Sequence, residues 1–207
     1  MKKNSPIIFL LLTLSLCSSA CSAKIHSFRG NQEFSNRNFE QIAVNGNAGF
    51  KNVKLSSATV SGDVVFDELV VGRTLDVKGN VSGVNGSFYR LHAIGNTNLA
   101  DASLQYLDIT GPTIIKNSVV EIVEIIGSLE ATKSTLGTIR ANTTSITLID
   151  SKAGTIRINK DNNLQQKLIL NNSSAKEVIF ESGNGQIYVL GNAEITGRII
   201  GATIIKE

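Results

Sequence analysis

The chain has 207 residues, with 20 Lys+Arg against 17 Asp+Glu and a formal charge of +3. A nucleic-acid partner needs a clustered basic excess, which this near-neutral balance does not supply. The 2 Cys are Cys17 and Cys21, so the rest of the chain holds neither a disulfide framework nor a Cys-ligated zinc site.

The N-terminus has the layout of an export signal. Met1-Lys2-Lys3-Asn4 is a short basic segment, Ile7 to Cys17 is apolar apart from Thr13 and Ser15, and small residues lead to Cys21. An apolar run this short falls well below the ~20 residues that span a bilayer. Residues 1–20 are therefore expected to be a removable signal peptide. Residues 18–21, Ser-Ser-Ala-Cys, resemble a bacterial lipoprotein signal, although Ser18 stands where that pattern prefers Leu or Val. The resemblance implies lipidation of Cys21 and attachment to a membrane through several acyl chains. Ser22 in second place implies the outer membrane, and a soluble exported protein is the alternative.

Residues 21–41 are polar with Phe28, Phe34 and Phe39 spaced through them. They read as a tether whose later part would cap the open end of the domain that follows. His26 lies in this stretch and is expected to be solvated rather than a ligand.

From residue 42 to 207 the chain repeats. Gly46, Gly62, Gly79, Gly95, Gly111 and Gly127 recur at steps of 16 or 17 residues. Apolar columns keep the same step: Val44, Val60, Val77, Ala93, Ile109, Ile125; then Leu75, Leu91, Leu107, Val123; then Phe88, Leu104, Val120, Leu136. A polar column runs Asn52, Asn85, Asp101, Asn117, Lys133, Asp150. Self-similarity at a fixed period in several columns is the mark of a solenoid. The repeats are rich in β-branched residues and alternate at period two, and a helical repeat would need about 33 residues or more. The expected fold is all-β, a single-stranded parallel β-helix of about 16 residues per turn, with nine or so turns at ~4.8 Å each. Asn159 to Gln166 is expected to leave the rod as a loop, and stacked Asn, Ser and Thr, as in Asn142 to Ser145 and Asn171 to Ser174, are expected to form hydrogen-bonded ladders along the corners.

The stretch from Val60 to Gly83 resembles the bactofilins, polymer-forming bacterial cytoskeletal proteins. Asn38 to Asn47 resembles the opening of a head GIN domain, found in exported bacterial lipoproteins. Both resemblances imply a β-helix without a known active site. The bactofilin resemblance implies end-to-end assembly, and the head GIN resemblance agrees with export.

One outward column carries chemistry-bearing residues: Asp76, His92, Asp108, Glu124, then Arg140 and Arg157. Stacked on one face, its first four members have the donor types for a divalent cation, or for the acid and base of a polysaccharide-active enzyme. The reading preferred for this column is a solvated charge stripe whose members compensate one another. Tyr89 and Tyr106 are expected near one corner on adjacent turns. No nucleophile motif or phosphate loop stands out, so the sequence points to a non-enzymatic protein without metal or cofactor. The expectation is a structural or interaction module of the cell envelope, with the membrane, a second copy, or an envelope protein or glycan as partners. A carbohydrate-binding or adhesin-like module is the alternative, and a polysaccharide-active enzyme the least favoured reading.

Overall fold

The computed structural model describes residues 25–160 and 164–206. The signal segment and Cys21 lie outside the described residues. What is described is all-β: parallel strands stacked as a β-solenoid of about 11 turns, roughly 16 residues each. At ~4.8 Å per turn the rod is about 50 Å long.

The first strands are β1 (Ile25–Arg29), β2 (Gln32–Asn45), β3 (Ala48–Val60), β4 (Val64–Val77) and β5 (Val81–Ile94). Each of β2 to β5 runs through most of a turn, and each pairs in parallel with the next. From β6 (Thr97–Ala100) and β7 (Ser103–Thr110) onward, each turn breaks into a short and a longer strand. The stack begins at Ile25, so most of the stretch expected as a tether is part of the rod. Ile25 to Arg29 pair with Gln41 to Asn45, and Gln32 to Val44 pair with Ala48 to Val60. The polar look of this stretch reflects outward positions; its inward positions are aromatic. Phe34 is buried and stacks on Phe50 at a centroid distance of 5.4 Å, with Phe28 and Phe39 edge-on against it. Edge-on and stacked rings fill the wide first turns and add about 0.5–1.5 kcal/mol per pair beyond their buried area.

The core is built by the columns that repeat in the sequence. Val44, Val60, Val77, Ala93, Ile109 and Ile125 are successive partners in the parallel register, and all are buried. Leu75, Leu91, Leu107 and Val123 form a second column, at most 1% exposed. Each such side chain contributes about 1.5–3 kcal/mol by leaving water. Stacking one column on itself makes every interior turn its neighbours' core, which explains why the period is kept so closely.

Corners are set by two backbone devices. Nine non-glycine residues have left-handed φ between 48° and 59°: Asn36, Asn52, Glu68, Asn85, Asp101, Asn117, Lys133, Asp150 and Asn172. Asn and Asp tolerate this region best, so seven of the nine positions follow the local preference. At the other corner the glycines stack so closely that a Cβ on Gly111 would lie 2.8 Å from the carbonyl carbon of Gly95. The residue after each of these glycines extends a ladder: Asp63 N donates to Asn47 Oδ1 at 2.9 Å, Asn80 N to Asp63 Oδ1 at 2.7 Å, and Asn96 N to Asn80 Oδ1 at 2.8 Å. The next residue in the column is Pro112, which has no N–H to give. The ladder stops there.

A second ladder is buried. Ala102 N donates to Ser118 Oγ at 3.0 Å, Ser118 N to Ser134 Oγ at 3.2 Å, Ser134 N to Ser151 Oγ at 3.0 Å, and Ser151 N to Ser173 Oγ at 3.0 Å. Each hydroxyl donates in turn to the carbonyl two residues before it, as Ser118 does to Lys116 at 2.6 Å. Between Ile158 and Lys167 the chain leaves the strands, as expected for the 159–166 excursion. Its base is pinned by Gln166, fully buried, whose Nε2 donates to the carbonyls of Asn159 at 2.7 Å and Thr143 at 3.2 Å. Beyond it the rod resumes in register, with Lys152 to Ile158 beside Ser174 to Phe180.

Candidate functional site

Asp76, His92, Asp108 and Glu124 are consecutive partners in the parallel register, followed by Arg140 and Arg157. The column therefore stacks on one face at strand spacing. Asp108 Oδ2 lies 3.1 Å from His92 Nδ1 and accepts from the Arg90 guanidinium at 3.2 Å. Glu124 Oε1 accepts from Arg140 at 3.0 Å, and Arg157 turns to Glu181 at 3.2 Å. The two neighbouring carboxylates are each drawn to a separate cation, which lowers the cost of placing like charges side by side. Among the described residues no group of three or more His, Cys, Asp or Glu side chains is arranged to hold a metal ion. What the column presents is a charge stripe in which Asp108 and Glu124 are paired with arginines.

Tyr89 and Tyr106 come together on adjacent turns, their ring centroids 5.5 Å apart and tilted by 57°. Tyr89 is 50% exposed and Tyr106 is 36% exposed. Tyr188 stands apart; its hydroxyl donates to Gln186 at 3.1 Å.

A longitudinal groove was not foreseen from the sequence. Outward residues Val70, Ser87, Ser103, Val119, Thr135 and Lys152 are successive register partners, and Ser174 and Glu194 continue the row. Two positions on in each turn lie Tyr89, Gln105, Glu121, Gly137 and Gly154, held opposite one another by the paired residues that flank them. Between the two rows the inward column Phe88, Leu104, Val120, Leu136, Ala153 forms the floor. One trough of about 470 Å³ spans Val70 to Glu121, and another of about 470 Å³ spans Thr135 to Thr196. Val119 and Thr135 are adjacent register partners, so the two troughs lie end to end along the same columns and together mark out a groove. Eight rows at ~4.8 Å put its length at about 34 Å. The signal available in the sequence was a second glycine pair, Gly137 and Gly154, a half-turn away from the main glycine column.

Set against protein-family models, curated proteins and solved structures, the chain matches none of them.

Proposed function

We propose that the protein is an exported, lipid-anchored β-helical rod of the bacterial cell envelope, working as a structural or interaction module and not as a catalyst. The observation that carries this reading is the way the rod spends its polar chemistry. Two carboxylates of the outward stripe, Asp108 and Glu124, are paired with Arg90 and Arg140, and the corner hydroxyls and amides bond to the next turn. Side chains used this way rigidify a rod; they are not poised on a reacting group. The export-signal layout of residues 1–20 and the lipoprotein-like approach to Cys21 support the address.

The anchor also bears on self-association. Cys21 is four residues from Ile25, the first described residue of the stack, and four residues reach at most about 14 Å. A lipidated chain would hold its first turn close to the bilayer. End-to-end stacking, the mode the bactofilin resemblance implies, would then be open to unanchored molecules only.

The test is metabolic labelling with a radioactive fatty acid in a bacterial host, comparing the native chain with Cys21→Ala. Label on the native chain and none on the variant is expected. An unlabelled native chain found in the soluble fraction would overturn the anchored reading. Negative-stain electron microscopy of unanchored protein over a range of concentrations then separates filaments one rod wide from single rods.

A further inference from the structure

We infer that the longitudinal groove is a binding site for an uncharged linear polysaccharide lying along the rod axis. Four observations converge on this ligand class. The groove follows the same two columns from turn to turn along the rod axis, so it fits an elongated chain better than a compact ligand. Tyr89 lines it with a half-exposed ring held in place by Tyr106, and an aromatic face is the surface on which the C–H faces of a sugar ring stack. Ser87, Ser103, Gln105 and Thr135 place hydroxyls and an amide on three of the four turns from Ser87 to Thr135, suited to the hydroxyl groups that recur along a glycan. The charges along it, Glu121 and Glu194 against Lys152 and Lys176, balance, which favours a neutral ligand over an acidic one.

Tyr89 is the platform in this arrangement and Tyr106 its buttress. Gly137 and Gly154 keep the far half shallow, so a ligand long enough to leave the tyrosines can continue over them. An extended peptide is the competing occupant. It would draw mainly on backbone hydrogen bonds, but here the strands on both sides of the groove are already paired to their neighbours.

The test titrates the purified protein with cellohexaose, chitohexaose and their disaccharides, read by calorimetry and by tyrosine emission. The chain has 3 Tyr and no Trp, so that emission reports on few sites. Saturable binding of at least one hexasaccharide is expected, about tenfold or more tighter than its disaccharide. Tyr89→Ala should weaken it about tenfold, Tyr89→Phe should stay within about twofold, and Val65→Ser on another face should leave it unchanged. Should Tyr89→Ala fail to fold by circular dichroism, Ser103→Arg on the solvent-facing wall blocks the groove and must abolish binding. No saturation by about 10 mM with either hexasaccharide overturns the proposal, as does binding that survives Tyr89→Ala or Ser103→Arg in folded protein.

Discussion

The backbone N–H of Ser118 donates to the hydroxyl of Ser134 on the next turn, while that hydroxyl donates to the carbonyl of Thr132. Ser134 thus satisfies a donor and an acceptor at a position only 3% exposed. Removing its oxygen leaves the Ser118 N–H buried without a partner, while the Thr132 carbonyl still accepts from Asn117 N at 3.0 Å. A buried unsatisfied group costs about 1–3 kcal/mol, so Ser134→Ala is expected to destabilise the rod by about 1–3 kcal/mol in denaturant unfolding. Asn80→Ala removes an acceptor of the other ladder at an exposed corner, where water can replace it. That loss should stay near 1 kcal/mol or below. Equal losses at the two sites would show that burial is not what gives the serine ladder its weight.

Glycine serves unequal purposes along the chain. Gly111 has φ 147°, and a Cβ there would press on the Gly95 peptide of the turn before. That neighbour is backbone of a stacked turn and cannot swing aside. Gly111→Ala should cost more than about 3 kcal/mol or prevent folding, being both strained and overpacked. Gly72 is a useful contrast, because its added Cβ would meet nothing nearer than the Leu55 carbonyl oxygen at 3.9 Å. Gly72→Ala should lie within about 1 kcal/mol of the native protein, with a slight gain expected from the stiffer unfolded chain. Thermal melts of the two variants side by side decide the matter.

The charge stripe makes a smaller prediction. Asp108 and Glu124 sit on an exposed face, where an ion pair contributes about 0.2–1 kcal/mol and is screened by salt. Glu124→Gln should cost less than about 1 kcal/mol at low salt, and the difference should shrink towards zero near 1 M NaCl. A cost that persists at high salt would mean that Glu124 holds something other than Arg140.

Much of this architecture is legible in the residues because a solenoid repeats its constraints. Gly46 to Gly127 mark one corner, and Asn52, Asn85, Asp101, Asn117, Lys133 and Asp150 mark another; all six of the latter have left-handed φ. Glu68 belongs to that column but is not a turn-forming residue, and it falls beside a 17-residue step, so the pattern there passes unseen. Residues 25–41 look like a tether because a turn of this rod needs few inward apolar groups, and three phenylalanines meet that need. The expected ladders of Asn, Ser and Thr exist, but their members are largely elsewhere: of Asn142 to Ser145 and Asn171 to Ser174, only Ser173 belongs to the buried ladder, and Asn172 Oδ1 accepts from Asn192 N at 3.1 Å. Depth along a ladder depends on which way a corner residue turns, and spacing alone carries no sign of that. The groove is hidden for the same reason. It lies between two outward columns, each of which reads separately as ordinary surface.

The two corner residues that break the local rule give the last prediction. Lys133 has φ 50° and Glu68 has φ 59°, in a region where a side chain other than Gly, Asn or Asp costs about 1–2 kcal/mol. Both side chains are exposed, so no packing offsets that cost. Asn occupies the equivalent corner at five other turns, and where two are adjacent Asn52 Nδ2 donates to Asn36 Oδ1 at 2.8 Å. Lys133→Asn and Glu68→Asn should therefore each stabilise the rod by about 0.5–1 kcal/mol. The two sites are four turns apart, about 19 Å along the axis, beyond the range at which substitutions usually couple. The double variant should show the sum of the single gains in denaturant unfolding. A gain at neither site would mean that the left-handed corner is relaxed for any side chain, and that the Asn column is kept for its hydrogen bonds alone.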